Sequence, residues 1–257
     1  MVVLPNPVRA RRVWWREFIS WRRVFKTSVI LNFGEPFLYL VAFGFALGAY
    51  VNLGRGQTYA AFVAPALIAV TAMNAVTFDS LFGSWNNMHD KRVFEAIVTA
   101  PITPQDLVLG EFFWQASRAL LYGMTFALVM FAVGLIRSPW ALALPLVLVL
   151  MGPLFAAPAL TWAAVMDNFE HLFYYIGLLI TPMFFFSGVF FPLDRLPVAI
   201  RDGIWLVSPL YHAATICRAL VNGNPTPALL WDAVYMVVLA VILAQAPLLV
   251  LPRRLQR

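Results

Sequence analysis

The sequence predicts an all-α integral membrane protein with six membrane-spanning helices. Of its residues, 62% are hydrophobic and only 12% are charged, about half the charged share of an average soluble domain. The apolar residues also fall into runs near the ~20 residues that a helix needs to cross a bilayer. Because so few polar residues remain to cover a surface in water, the bilayer is the expected solvent of this chain.

The predicted spans follow a basic N-terminal segment. This segment divides the chain into an interfacial helix at 1–28 and a membrane domain at 29–257. The six spans lie at 29–50, 58–82, 107–135, 140–166, 171–191 and 229–251. Between the last two, residues 192–228 contain apolar stretches too short to cross a bilayer, as in re-entrant or interfacial helices. We therefore predict a broken outer segment before the last span.

The basic residues predict the orientation, because cytoplasmic loops carry an excess of Lys and Arg. Six spans place both termini and the second loop on one side. That side carries Arg9, Arg11, Arg12, Arg16, Arg22, Arg23, Lys26, Lys91, Arg92, Arg253, Arg254 and Arg257. The other side carries only Arg55, Arg137, Arg195, Arg201 and Arg218. Both termini are predicted to be cytoplasmic.

Residues 8–28 predict an amphipathic helix. Its aromatic residues recur at the spacing of one helix face, at Trp14, Phe18, Trp21 and Phe25. Arginines fill the other positions, which is typical of a helix in the membrane interface. We expect no nucleic-acid partner for these arginines, because the rest of the chain is not soluble. Two roles stay open, an anchor that sets the topology and a docking element for a partner protein.

The stretch 83–106 is a charged segment between two apolar runs. Residues 88–99 follow a helical pattern that Pro101 ends. Thr103 and Pro104 are then typical of the first residues of the next helix. A short helix joined rigidly to a membrane span is suited to pass motion from a soluble partner into the membrane. An ordinary loop helix is the alternative.

The sequence lacks the motifs of common catalytic sites. A phosphate-binding loop needs Gly-x-x-x-x-Gly-Lys-Ser/Thr, and neither lysine, Lys26 or Lys91, stands in such a motif. The three histidines have no metal-binding spacing. The single cysteine, Cys217, leaves no disulfide within the chain. We therefore predict no catalytic, cofactor or metal site here.

Several polar or small residues lie within the predicted spans. Buried charge is costly in a membrane, so we expect Glu35, Asp79, Glu111 and Arg118 to pair or to line a polar cavity. Glu111 and Arg118 lie seven residues apart on one helix face and are candidates for such a pair. The spacing of Gly44 and Gly48 allows close helix packing, either within the chain or between two copies.

Two stretches resemble the membrane subunits of type-2 ATP-binding-cassette exporters. They are "RVFEAIVTAPITPQDLVLGEFFW" at 92–114 and "ITPMFFFSGVFFPLDRLP" at 180–197. The six-span plan, the basic N-terminal helix and the broken outer segment agree with that family. The wording of both stretches is similar to its nodulation-protein J branch, which exports lipo-oligosaccharides with a separate ATPase. The resemblance covers essentially the whole chain.

This resemblance implies a permease subunit in a bacterial cytoplasmic membrane. It implies a homodimer that works with two ATPase subunits, which would bind the ATP and magnesium. The residues implied to couple to the ATPase are Asn86, Asp90, Arg92, Val93, Glu95, Ile97 and Thr99. The implied cargo is an amphiphile such as a lipid-linked or lipidated saccharide, with a hydrophobic drug as the alternative.

The aromatic run near the fifth span is a candidate pathway or gate. Its residues are Tyr174, Phe184, Phe186, Gly188 and Pro192. Aromatic residues that face lipid or pack in the core are the alternative. A secondary transporter is a rival for the whole chain, but such proteins usually show internal repeats and paired interrupted helices, which this sequence lacks. A membrane-embedded enzyme would need polar residues that converge at one face, and here they are scattered.

Overall fold

The computed structural model describes residues 5–46, 50, 58–89, 93–94, 101–136 and 138–255, and all regular structure in this part of the chain is helical. The predicted all-α fold is confirmed. The α-helices are α1 (Pro7–Arg23), α2 (Phe25–Tyr39), α3 (Tyr59–Phe78), α4 (Ser84–His89), α5 (Pro104–Ala132), α6 (Leu144–Val165), α7 (Leu172–Tyr175), α8 (Thr181–Phe186), α9 (Val198–Val207), α10 (Pro209–Asn222) and α11 (Leu229–Leu255). π-helical turns at Asp79–Gly83 and Ile176–Ile180 make α3–α4 and α7–α8 continuous, and another at Leu40–Ala46 extends α2.

Several helical segments are long and apolar enough to cross a membrane. Within the described residues these are Tyr59–His89, Pro139–Val165, Phe169–Phe186 and Leu229–Leu255. The bent pair α9 and α10 makes a fifth only if it is counted as one span. Of the remaining predicted spans, 29–50 runs past the described residues. The predicted span 107–135 corresponds to α5, a helix of sufficient length that is not among these apolar segments, because Gln115 and Arg118 lower its hydropathy.

Side-chain contacts identify which segments lie together at each of the two ends of the helix bundle. At one end Arg254, close to the C-terminus, donates to Asp167 at 2.7 Å and to His89 at 3.0 Å. At the other end the Tyr59 hydroxyl donates to the Phe190 carbonyl at 2.6 Å. We call the first the terminal end and the second the hairpin end, after the bent helix pair of α9 and α10. The loop between α6 and α7 thus lies beside the end of α11, and the start of α3 lies beside the chain reversal after α8.

The helix starts follow from local sequence. Thr103 accepts a hydrogen bond from the Asp106 N–H at 3.2 Å, and the Asp106 carboxylate accepts one from the Thr103 N–H at 3.0 Å. With Pro104 at the first helical position, this capping box satisfies N–H groups that a helix start leaves free. The predicted cap at Thr103 is confirmed. At α10, the Ser208 hydroxyl accepts a hydrogen bond from the Tyr211 N–H, and Gly223 ends the helix with a φ of 78°.

The predicted broken outer segment is present as a helical hairpin. After α8 the chain turns at Gly188, whose φ is 69°, a value that favours glycine. α9 and α10 then meet at 93°. No residue of α9 is buried, whereas α10 buries much of one face, including Ala213 and Cys217. α10 is thus the packed arm of the hairpin, and α9 is the exposed arm.

Small residues bring the central helices close together. A Cβ atom added at Gly152 on α6 would lie 2.3 Å from the Ala116 Cα on α5. Glycine is therefore required for this approach of the two backbones. In the first predicted span, a Cβ at Gly44 would lie 3.6 Å from Ala60 Cβ on α3 of the same chain. Gly44 thus packs within the chain. Gly48 lies outside the described residues, so the predicted contact between copies stays a prediction.

Candidate coupling site

α1 packs along the first half of α5. At its N-terminal end the Asn6 N–H donates to the Asp106 carboxylate at 2.5 Å. At its C-terminal end the Trp21 indole N–H donates to the Tyr122 hydroxyl at 2.9 Å. Ala10, Val13 and Glu17 form the buried face between these points. The helix is therefore attached to α5 over its whole length.

The backbones of α1 and α5 approach closely at one point. A Cβ atom at Gly110 would lie 2.5 Å from Val13 Cβ and 2.8 Å from the Ala10 carbonyl oxygen. Such distances exclude any larger residue unless α1 moves. Gly110 therefore sets the spacing at which the N-terminal helix docks.

The predicted aromatic face of α1 borders this contact. Trp14, Phe18 and Trp21 are half-buried, and Phe25 is 43% exposed. Neighbouring rings lie 4.8 to 6.0 Å apart, from Trp14 through Phe18 and Trp21 to Phe25. The Trp14 indole also donates to the Ser117 hydroxyl at 2.9 Å. The four aromatic residues thus form one stripe beside the docked face. Contact of this stripe with lipid stays a prediction.

A buried polar cluster ties α3 to α5. Asp79 accepts hydrogen bonds from Gln115 at 2.8 Å and from the Trp114 indole at 3.1 Å, and it pairs with Arg118 at 3.5 Å. Arg118 also donates to the Ala75 carbonyl at 3.1 and 3.2 Å. The expectation that charges within the spans pair is met at Asp79. The candidate pair of Glu111 with Arg118 is replaced, because Arg118 turns to Asp79. The Glu35 side chain lies outside the described part.

Glu111 instead faces Glu17 of α1, close enough for a hydrogen bond between the two carboxyl groups, while Glu17 also pairs with Arg16. Ionised carboxylates only accept hydrogen bonds, so this contact needs a proton on one of the two groups. Burial is the main cause that raises the pKa of Glu17, and nearby Asp79 raises it further, whereas Arg16 and Arg118 lower it. Among the described residues, the second oxygen of Glu111, Oε1, finds no hydrogen-bond partner.

Sequence reasoning missed Glu17. The available signal was its position on the helix, because Glu17 follows Val13 by four residues and Ala10 by seven and so lies on the same helix face. An acidic residue on an otherwise apolar face of an arginine-rich helix indicates a buried partner. The partner, Glu111, is not identified by that pattern.

The predicted coupling segment begins at the terminal end with α4. The Trp85 indole donates to the Met166 carbonyl at 3.3 Å and stacks on the His89 ring, with centroids 4.5 Å apart. His89 accepts from Arg254, so the ring proton is assigned to the nitrogen that faces the Trp85 carbonyl. α4 is therefore joined both to the loop before α7 and to the end of α11.

The structure describes only part of the predicted coupling segment. Asn86 lies on α4 and is half-buried, Val93 is helical and half-buried, and its neighbour Phe94 is fully buried. Asp90, Arg92, Glu95, Ile97 and Thr99 lie outside the described residues. Their role in binding an ATPase stays a prediction. Among the described residues, no group of three or more His, Cys, Asp or Glu side chains is placed to hold a metal ion.

Comparison with known proteins identifies the family. The family model "ABC-2 type transporter" matches residues 9–221, from α1 through α10. The chain belongs to the ABC-2 type transporter family. The predicted family is therefore confirmed, and this ABC-2 chain is a membrane transport component.

Individual relatives of the ABC-2 chain agree. It is 34% identical over 216 residues to "Nodulation protein J" of Rhizobium meliloti (strain 1021), covering 83% of this chain and 81% of the relative. It is 36% identical over 225 residues to the protein of the same name from Sinorhizobium fredii (strain NBRC 101917 / NGR234), covering 87% and 85%. "Inner membrane transport permease YadH" of Escherichia coli (strain K12) is 25% identical over 209 residues, covering 80% and 79%. The similarity to nodulation protein J that the sequence motifs predict is confirmed.

The candidate pathway residues of the ABC-2 chain fall into two groups. Tyr174 and Phe186 are more than half exposed. Phe184 is buried against Tyr39, with ring centroids 5.2 Å apart. Phe184 is thus a core residue, whereas the other two aromatic residues face outwards.

Gly188 and Pro192 lie in the chain reversal after α8. The Gly188 carbonyl accepts a hydrogen bond from Arg218 at 2.9 Å, and Pro192 precedes the short turn Leu193–Arg195. Arg218 also donates to the Phe62 carbonyl at 3.0 Å. α8, α10 and α3 therefore meet at Arg218, at the hairpin end.

An apolar cavity of about 690 Å³ opens between α6, α7–α8, the hairpin and α11. Pro182, Met183 and Phe186 line it from α8, and Leu239 and Leu243 line it from α11. Its volume falls within the range of about 300–1,000 Å³ that is typical of ligand sites. The exposed Phe186 ring therefore borders an apolar cavity and not only a flat surface.

Proposed function

We propose that the chain is the permease subunit of an ATP-driven exporter in a bacterial cytoplasmic membrane. Two copies form the transport pathway, and each binds one ATP-binding-cassette ATPase subunit. The observation that carries the proposal is the terminal end of the bundle. There α4 is bonded to the end of α11 through His89 and Arg254, and the start of α1 is bonded to the start of α5 through Asn6 and Asp106.

The basic residues support a cytoplasmic position for this end. Arg9 pairs there with Asp106, and Arg253 and Arg254 lie in the last turn of α11. An excess of Lys and Arg is typical of the cytoplasmic side. The name of the YadH relative, an inner membrane transport permease, supports the same membrane.

The mechanism begins on the partner subunits, which bind ATP and magnesium. Their closure pushes the segment 86–99 of each permease. Because α4 continues into α3 through Asp79–Gly83, a push on α4 moves α3 directly. The cluster around Asp79 passes the movement to Gln115 and Arg118 on α5. α1 then moves with α5, since the two helices are attached along their length.

The cargo we propose is a lipid-linked or lipidated saccharide. Similarity to nodulation protein J supports it, because the sequence motifs resemble the nodulation-protein J branch, which exports lipo-oligosaccharides. The apolar cavity beside Phe186 supports an amphiphile of some kind, because its lining suits an aliphatic or aromatic group. A hydrophobic drug fits the same lining, so the test includes both cargos.

The test is transport in vesicles that contain the chain and an ATPase subunit from its host. The cargo probes are a fluorescent undecaprenyl-linked saccharide and a fluorescent hydrophobic drug. We expect ATP-dependent movement of the saccharide across the bilayer, and none with an ATPase whose phosphate-loop lysine is replaced. Movement of the drug alone would replace the proposed cargo. Movement driven by a proton gradient without the ATPase would contradict the proposal and favour a secondary transporter.

A further inference from the structure

A buried histidine joins the three helices of the hairpin end. His212 on α10 is fully buried, and Asp232 at the start of α11 is 8% exposed. Nδ1 of His212 lies 2.6 Å from Oδ1 of Asp232, and its Nε2 lies 2.7 Å from the carbonyl oxygen of Trp205 on α9. Both ring nitrogens therefore face an oxygen at hydrogen-bond distance.

These distances require one proton more than a neutral imidazole and an ionised carboxylate carry together. A carbonyl oxygen and an ionised carboxylate only accept hydrogen bonds, and a neutral imidazole carries a single N–H. Without the extra proton, either Nδ1 or Nε2 turns a lone pair toward an oxygen. With it, both contacts are hydrogen bonds, whether the proton stays on His212 or moves to Asp232. The arrangement at His89 differs, because there the second ring nitrogen faces an arginine donor.

The surroundings leave Asp232 as the charge partner of His212. Tyr235 on α11 stacks on the imidazole with centroids 3.9 Å apart, and its hydroxyl donates to the Leu206 carbonyl at 2.7 Å. Tyr211 of α10 meets the ring edge-on at 5.3 Å.

The other charged side chains near the hairpin are engaged elsewhere. Arg201 and Asp202 of α9 are exposed and lie 3.7 Å from each other. Arg218 of α10 donates to backbone carbonyls of α3 and the chain reversal after α8. Because these three side chains have other partners, none of them takes the place of the proton between His212 and Asp232.

We propose that His212 and Asp232 form a proton-dependent latch that fastens the hairpin to α11. α9 depends on this latch because none of its residues is buried. Its attachments include the Trp205 carbonyl bonded to His212 and the Leu206 carbonyl bonded to Tyr235. Loss of the proton replaces the hydrogen bond between His212 and the Trp205 carbonyl by a repulsion between two lone pairs, and this frees α9. The inference goes beyond the proposed function and needs neither the ATPase nor a cargo.

The test is hydrogen exchange of the α9 amides, measured by mass spectrometry on the full chain in lipid nanodiscs. Wild type is compared with Asp232→Asn between about pH 5 and pH 9, a range that brackets histidine titration. The Asn amide donates to Nδ1 of a neutral imidazole whose Nε2–H still bonds to Trp205, so that latch needs no extra proton. The ratio of wild-type to variant exchange rates cancels the intrinsic pH dependence of exchange.

We expect this ratio to be near one at acid pH and to rise severalfold as the pH increases. Tyr235→Phe is the matched control, because it removes one neighbouring hydrogen bond without changing the proton count. It should raise α9 exchange by a similar factor at every pH. If Asp232→Asn does not fold, His212→Gln replaces it, since its amide still donates to Trp205 and does not titrate. A ratio that stays constant across the whole pH range overturns the latch.

Discussion

Gly110 lies where α1 crosses α5, and its replacement by alanine tests how α1 is docked. The new Cβ would lie 2.5 Å from Val13 Cβ and 2.8 Å from the Ala10 carbonyl, whereas ordinary contacts are 3.4–4 Å. The carbonyl belongs to the backbone and cannot rotate away, so α1 must shift as a whole by about 1 Å. Overpacking of this kind costs about 1–3 kcal/mol, and the clash with fixed backbone places Gly110→Ala in the upper part of that range, at about 2–3 kcal/mol. Alanine recovers about 1 kcal/mol through its higher helix propensity.

The net loss of about 1–2 kcal/mol corresponds to a factor of about 5–30 in the docking equilibrium. We therefore expect the amides of α1 to exchange with deuterium about 5–30 times faster in Gly110→Ala than in the wild-type chain. Gly177→Ala is the matched control, because a Cβ there has nothing within 4 Å. It should leave α1 exchange unchanged. Unchanged exchange in Gly110→Ala as well would refute the close docking of α1 on α5.

Three further substitutions test the packing, the cap and the buried carboxyl pair. Gly152→Ala places a Cβ 2.3 Å from the Ala116 backbone. The free energy of unfolding, measured by thermal unfolding in detergent, should therefore fall by an amount near the upper end of about 1–3 kcal/mol. An unchanged melting temperature would contradict the close packing of α5 and α6. Thr103→Ala removes the cap from the Asp106 N–H and should cost about 1 kcal/mol, with Thr103→Ser as the control that retains stability. Burial raises the pKa of Glu17. The stability that the protonated Glu17 carboxyl contributes is therefore present at acid pH and is lost as the pH rises through its pKa in the folded state. α1 exchange, corrected for intrinsic rates, should therefore increase with pH in the wild type and increase less in Glu17→Gln. Parallel pH profiles would argue against the buried carboxyl pair.

Local patterns predicted much of the fold. The cap at Thr103 and Pro104 was readable because both partners of a capping box lie within one helical turn. The spans were readable because a bilayer requires long apolar runs. The broken segment before α11 followed from apolar stretches that are too short to cross.

Contacts between distant residues were not predicted. Asp79 and Arg118 lie on different helices, so no spacing rule relates them, whereas Glu111 and Arg118 share a helix and were therefore considered first. Glu17 was overlooked because the arginines around it suggested an exposed polar face. The contact between His212 and Asp232 likewise joins two helices, α10 and α11, so no spacing rule relates the two residues.

The coupling role of the segment 86–99 is tested most directly by co-purification. The full chain would be expressed with an ATP-binding-cassette ATPase subunit from its host and purified in detergent, as wild type and as Glu95→Ala. Asp194→Ala is the control, because Asp194 is an exposed carboxylate at the hairpin end. We expect the ATPase to co-purify with the wild type and the control and to be lost or strongly reduced with Glu95→Ala, while all three permeases stay folded. Equal recovery of the ATPase with all three, or no recovery with any, would contradict the assignment of this segment as the ATPase contact.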